Sequence, residues 1–170
     1  MQKSKAAVAT AGFFVVIPGT VVGLIPWAIT RWRVHRPPLP GWSAARVIGA
    51  VLVATGLVPM ASAPAEFVKA GGTPLPLTPT DHLVVTGFNR HVRNPMYVGG
   101  LLVILGQALL FGNLRLLIYA AVAWMAPAAF VHWYEEPTLA RQFGAEYEAY
   151  RQAVPAWWPR LRPWTPAQSA

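Results

Sequence analysis

The chain has 170 residues, 55% of them hydrophobic and only 12% charged, with a mean hydropathy of +0.40; a soluble domain carries about 25% charged residues, so a polytopic membrane protein is implied. The net charge of +8 would suggest nucleic acid in a soluble protein, but these arginines lie between apolar segments, where cations anchor helix ends in lipid headgroups, and no nucleic-acid partner is expected. The absence of cysteine excludes disulfides, thiolate zinc sites and Cys nucleophiles.

A helix needs about 20 apolar residues to cross lipid, and four segments are of that kind: roughly 6–29, 47–65, 96–111 and 114–133. The first follows Lys3 and Lys5 and is longer than the 7–15 residues of a signal-peptide core. An uncleaved spanning helix is expected there, kinked at Pro18 and Pro26. A basic, proline-broken loop from Arg31 to Trp42 leads to the second segment. The next connection, 69–94, contains Gly71-Gly72-Thr73-Pro74-Leu75-Pro76 and cannot be regular helix. Its apolar part, 83–88, is too short to span and must be buried in protein or lie at the interface. Pro95 suits the first turn of the third helix. Only Gly112-Asn113 separates the third helix from the fourth, which forces an antiparallel hairpin.

Beyond Glu136 the chain changes character. Leu139, Phe143, Tyr147, Tyr150 and Val154 recur at steps of three and four, the pattern of an amphipathic helix that continues through Gly144. Pro155, Pro159 and Pro163 then stop helix, and Trp157, Trp158 and Trp164 are expected to anchor the tail at the headgroups. The fold class is therefore all-α: a polytopic membrane protein with about four transmembrane helices and a C-terminal amphipathic interfacial helix, in one structural domain. Four spans place both termini and the second loop on one side with Lys3, Lys5, Lys69, Arg90, Arg93, Arg141, Arg151, Arg160 and Arg162. Arg31, Arg33, Arg36, Arg46 and Arg115 fall on the other side. The positive-inside rule then puts the termini in the cytoplasm, in an inner or cell membrane.

The hairpin brings its far ends together. Arg90, Arg93, Asn94 and Tyr97 enter it, and Glu135 and Glu136 leave it, so polar groups gather at one membrane face. An ionised group in a bundle needs a partner, and Arg93 is the natural one for a glutamate; an interfacial salt bridge fixing the hairpin fits the charges equally well. Consecutive helical residues point about 100° apart, so one of Glu135 and Glu136 is expected to face inward. The amides of the first helical turn after Asn94-Pro95, with the positive end of the helix dipole, suit a carboxylate. A plain helix cap with an interfacial tyrosine fits as well.

The order of these elements is more specific. Gly87-x-x-Arg90-x-x-Arg93-Asn94-Pro95-Met96-Tyr97-x-Gly99, a spanning hairpin, then Glu135-Glu136-x-x-Leu139-x-x-x-Phe143-Gly144-x-x-Tyr147-x-x-Tyr150-x-x-x-Val154-Pro155 resembles the integral membrane methyltransferases. Isoprenylcysteine carboxyl methyltransferase typifies them, and the phospholipid N-methyltransferases are relatives. The resemblance covers about residues 81–161.

It implies S-adenosylmethionine as cofactor and a catalytic, cofactor-binding region at 69–170 preceded by an N-terminal helix pair at 1–68. By similarity His82, Leu83, Val84 and Gly87 would line the cofactor, and Arg93, Asn94 and Tyr97 would hold its amino-acid end. Gly99 and Gly100 would leave room for close approach. Glu136 or Glu135 would contact the cofactor or close the pocket, and Arg151 would orient the acceptor. Arg93, Glu136 and Arg151 are the catalytic assignments. Many relatives carry His where Asn94 stands, and an amide cannot titrate. The acceptor implied is a lipid, a prenylated substrate or a lipophilic small molecule, met among membrane lipids.

Methyl transfer from a sulfonium needs alignment of donor and acceptor and a dry site rather than a dedicated nucleophile. The four histidines, His35, His82, His91 and His132, show no ligand-pair spacing, so no metal is expected. Two other readings are a membrane reductase related to the sterol reductases and a non-catalytic lipid-binding scaffold.

Overall fold

Helices make up the regular structure, and there is no strand among the residues that the computed structural model describes: 12, 16–35, 37, 40–69, 83 and 85–165, with backbone alone over 63–69. Helix α1 (Val16–Thr30) is fastened where its sequence weakens it. Pro26 has no N–H, so the Val22 carbonyl one turn earlier lacks its helical donor. The Gln107 side-chain amide donates to that oxygen instead, at 2.7 Å. Residues Thr20–Leu24 widen into a π turn closed by the Ile25 N–H on the Thr20 carbonyl. The Val21 carbonyl freed by this shift accepts from the Tyr119 hydroxyl at 2.8 Å. The kink expected at Pro26 is thus a register change, with its stray carbonyls satisfied by neighbouring helices.

Helix α2 (Trp42–Lys69) and helix α3 (Pro95–Phe111) form the closest pair in the bundle. Glycine makes this possible. A Cβ on Gly106 would stand 2.6 Å from the Gly49 carbonyl oxygen, and one on Gly99 would stand 2.5 Å from that of Gly56. Gly49 faces Gly106 and Gly56 faces Gly99, so two glycine pairs seven residues apart bring antiparallel backbones into contact. Such small-residue seams drive helix association in lipid, where apolar burial supplies little.

The two-residue turn is built as expected. Gly112 takes the left-handed conformation (φ 63°) and its N–H donates to the Ala108 carbonyl. The Asn113 side-chain oxygen accepts from the Arg115 N–H at 3.0 Å. The His35 N–H donates to the Phe111 carbonyl at 2.8 Å, so the first loop is stitched to the hairpin tip, opposite the mouth.

Helix α4 (Arg115–Phe130) does not end near Trp133. It passes through a π turn, Val131–Glu135, into α5 (Glu136–Phe143), giving one continuous run over Arg115–Phe143. The Glu136 N–H closes that turn on the Val131 carbonyl, one residue before Pro137, which has no N–H to give. Trp42–Ser62 and Arg115–Phe143 are long and apolar enough to cross a membrane, while Val16–Thr30 and Pro95–Phe111 are shorter apolar helices.

The amphipathic segment departs from expectation at Gly144, which ends α5 rather than being carried within a helix. Its φ of 52° and ψ of −123° lie outside helical space, and α6 (Ala145–Ala153) starts afresh. The apolar stripe survives the break: Tyr147, Tyr150 and Val154 form a buried cluster against Leu139, Phe143, Leu83 and Val85. Leu83 and Val85 are therefore partly buried against protein, while Phe88 at the end of that segment is exposed. Trp164 joins this cluster, 5.7 Å from Tyr150, and Trp157 meets Trp124 edge-on at 5.8 Å. Of the three tail tryptophans only Trp158 stands out, 80% exposed. The glycine-proline loop at 71–76 lies outside the described residues.

Candidate active site

At the hairpin mouth the guanidinium of Arg93 is held from two helices. Its Nη2 pairs with Glu136 Oε1 at 2.9 Å, with the side chains 12% and 19% exposed. Its Nη1 donates to the Tyr147 hydroxyl at 3.2 Å. Its Nε is buried and has no acceptor among the described residues. Glu135 is half-buried beside this pair, close enough to act electrostatically on both Arg93 and Tyr97. The π turn is what admits both glutamates, because its wider turn narrows the angle between consecutive side chains.

Tyr147 was legible only as an apolar-face residue, yet it contributes its hydroxyl. Burial, and then the Glu136 carboxylate, push that hydroxyl up to about 12, against the pull of Arg93. It is neutral at physiological pH and accepts from Arg93.

Beyond the polar cluster an apolar cavity of about 400 Å³ opens between α1, α3 and α4. Tyr97 and Met96 line its mouth side, Val21, Val22 and Tyr119 line it along the fastened π turn, and Gly100 lies on its wall. Tyr97 is therefore a wall common to the charged cluster and the apolar chamber.

The structure brings Arg93, Tyr97, Glu135 and Glu136 together. Asn94 is near them in sequence but turned away: it is 8% exposed and its side-chain amide donates to the Ala156 carbonyl at 3.1 Å. Gly99 faces α2, while Gly100 faces the cavity. Arg151 does not reach the cluster; it sits on the outer face of α6 and grips Glu148 at 3.0 Å. Leu83 packs into the Tyr147 cluster, and Gly87 is an exposed turn residue with φ 52°. His82 and Val84 lie outside the described residues. Sequence reasoning missed Gln107 and Tyr119, polar residues in apolar helices, whose signal was the missing N–H of Pro26.

A model of the phospholipid methyltransferase family matches residues 44–146, more than half of the chain. The chain belongs to that family. The matched stretch runs from α2 into α6 and so contains Arg93, Tyr97, Glu135 and Glu136. A protein-S-isoprenylcysteine O-methyltransferase of Schizosaccharomyces pombe is 40% identical over 78 residues, 45% of this chain and 33% of the relative. The match thus spans about a third of that curated relative's length. No solved structure matches the chain.

The family makes a methyl donor the group to be accommodated at the mouth. The buried Nε–H of Arg93 without an acceptor suits a ligand carboxylate, since an unmatched buried donor costs free energy. Glu135, not held by an ion pair of its own among the described residues, suits an ammonium.

Proposed function

We propose that this protein transfers a methyl group from S-adenosylmethionine to a lipophilic acceptor resident in the membrane. The observation that carries the reading is Tyr97, at which the Arg93–Glu136–Glu135 cluster adjoins the apolar cavity. Arg93 would hold the cofactor carboxylate through Nε, and Glu135 its ammonium. Tyr97 would stand between cofactor and acceptor, and the cavity would take the acceptor's hydrocarbon and exclude water. When bound, the cofactor supplies an activated methyl on a sulfonium, whose positive charge disperses on transfer. The residues around it then have mainly to align and to keep dry.

An anionic acceptor oxygen is favoured over an amine. A carboxylate needs no base, whereas an ammonium must first lose a proton. The identity to an isoprenylcysteine O-methyltransferase supports the same preference. O-methylation is thus placed ahead of phospholipid N-methylation.

Four of the helices would span the membrane, α1 and α3 among them although short. Val47, Val51 and Val58 of α2 and Ile118, Val122 and Met125 of α4 are exposed, as lipid-facing residues would be. The mouth would lie at the cytoplasmic face. Titration calorimetry of the detergent-solubilised protein tests the reading: adenosylhomocysteine should bind, and absence of binding by a fully helical protein overturns it. Mass spectrometry of membrane extracts, read for a gain of one methylene mass, then identifies the acceptor.

A further inference from the structure

The chain after α6 crosses the mouth as a strap. The Arg93 N–H donates to the Pro155 carbonyl at 2.9 Å and the Asn94 side chain donates to the next carbonyl, Ala156, at 3.1 Å. Farther along, the Arg160 N–H reaches the His91 carbonyl and the Trp164 N–H the Arg90 carbonyl, both at 2.9 Å. Arg90 Nε returns a bond to the Trp164 carbonyl at 2.7 Å. Residues 154–165 are therefore laced to residues 90–94 although no regular ladder forms. The family match stops at residue 146, so the strap lies beyond it.

Two anchors of Arg93 converge on one stretch of chain. Its guanidinium rests on Tyr147 in α6, and its backbone on Pro155, two residues beyond the end of that helix. Where the strap sits fixes how far the guanidinium extends toward Glu136. Asn94 is the pinning side chain nearest Arg93, with Arg90 and His91 holding the strap farther along; it is buried, and its amide donates to the Ala156 carbonyl.

We propose that Asn94 is a positioning residue, which aligns Arg93 by tying the C-terminal strap across the mouth and itself touches neither cofactor nor acceptor. The proposal rests on the reading of the mouth as the cofactor site. A direct ligand and a strap tie differ in what the ligand-free protein shows. Asn94→Asp keeps the shape but sets a carboxylate oxygen against the Ala156 carbonyl. It should weaken adenosylhomocysteine binding about tenfold, the equivalent of one good hydrogen bond. In the ligand-free protein it should also speed amide hydrogen exchange at Arg93, Arg160 and Trp164. Asn94→His, whose Nδ1–H can take the place of the amide donor, should restore both.

The decisive arm combines Asn94→Asp with Trp164→Ala, which loosens the strap from its other end. If Asn94 acts through the strap, the two losses of affinity are less than additive. Loss of binding with strap exchange unchanged, or full additivity, overturns the proposal. A wild-type protein that binds no adenosylhomocysteine overturns the functional reading and the positioning role together. Wild-type binding that Asn94→Asp leaves intact overturns the positioning role alone.

Discussion

Glu136→Gln separates a cofactor wall from a salt bridge that merely fixes the hairpin. The substitution removes the charge facing Arg93 at 2.9 Å but keeps the shape and an acceptor oxygen. Two unit charges about 4 Å apart attract by roughly 4 kcal/mol at an effective dielectric near 20. Much of that offsets the cost of desolvating them. Two further groups limit the loss: Glu135 still acts on Arg93, and Tyr147 still accepts from it at 3.2 Å. A net destabilisation of about 1–2 kcal/mol is expected, which for a chain of this size lowers Tm by roughly 2–8 °C. Binding should suffer more, about 10- to 100-fold in the Kd for adenosylhomocysteine, because the ligand loses a wall and Arg93 loses its strongest restraint. Circular dichroism melting and titration calorimetry on one detergent preparation read both quantities. An unchanged Kd with a lowered Tm would refute the reasoning, leaving Glu136 as a hairpin clamp. Glu136→Ala is the poorer probe, since a strongly sequestered arginine left without its partner costs about 3–5 kcal/mol and invites unfolding.

Three other outcomes are expected. Gly106→Ala places a Cβ 2.6 Å from the Gly49 carbonyl oxygen and should cost about 1–3 kcal/mol by prising α2 from α3. Gly100→Ala meets nothing nearer than Val22 Cγ1 at 3.6 Å and should melt like wild type; equal melting of both variants refutes the glycine seam. Gln107→Leu leaves the Val22 carbonyl without a donor, at a cost of about 1–3 kcal/mol, and adding Pro26→Ala, which returns an N–H, should recover part of it in thermal melts. Tyr147 has a folded pKa raised from its ordinary 10.0 to about 12. The stability gained by keeping it neutral is thus full below pH 10 and is lost as pH rises through about 12. Tyr147→Phe should flatten that alkaline decline in chemical-denaturation titrations, and an unchanged decline counts against a buried hydroxyl there.

The mouth was legible because it depends on chain order and one short turn. Gly112-Asn113 leaves no way to join two apolar helices except as a hairpin, so Arg93 and the Glu135-Glu136 pair had to be neighbours, and it is Glu136 that takes Arg93, at 2.9 Å. Periodicity was a weaker guide at Gly144. A stripe of Leu139, Phe143, Tyr147, Tyr150 and Val154 reads as one helix, yet a left-handed glycine turns the chain and delivers the same stripe to the same cluster. Apolar spacing reports which residues share a core, not whether the backbone between them is unbroken. Arg151 stands apart from the cluster for the opposite reason: Glu148, three residues away, holds it locally.

The strap was hidden for a further reason. Pro155, Pro159 and Pro163 announce only that helix stops, and tryptophans in a membrane protein invite an interfacial placement. What holds residues 154–165 is backbone pairing with 90–94, and backbone groups carry no mark in the sequence. Asn94 is one side-chain mark beside Arg90 and His91, and its neighbours Arg93 and Tyr97 drew it into the cofactor motif. An amide that is buried beside charged site residues but faces a main-chain carbonyl serves the geometry of the site, and its effect on binding must pass through the residue it holds in place.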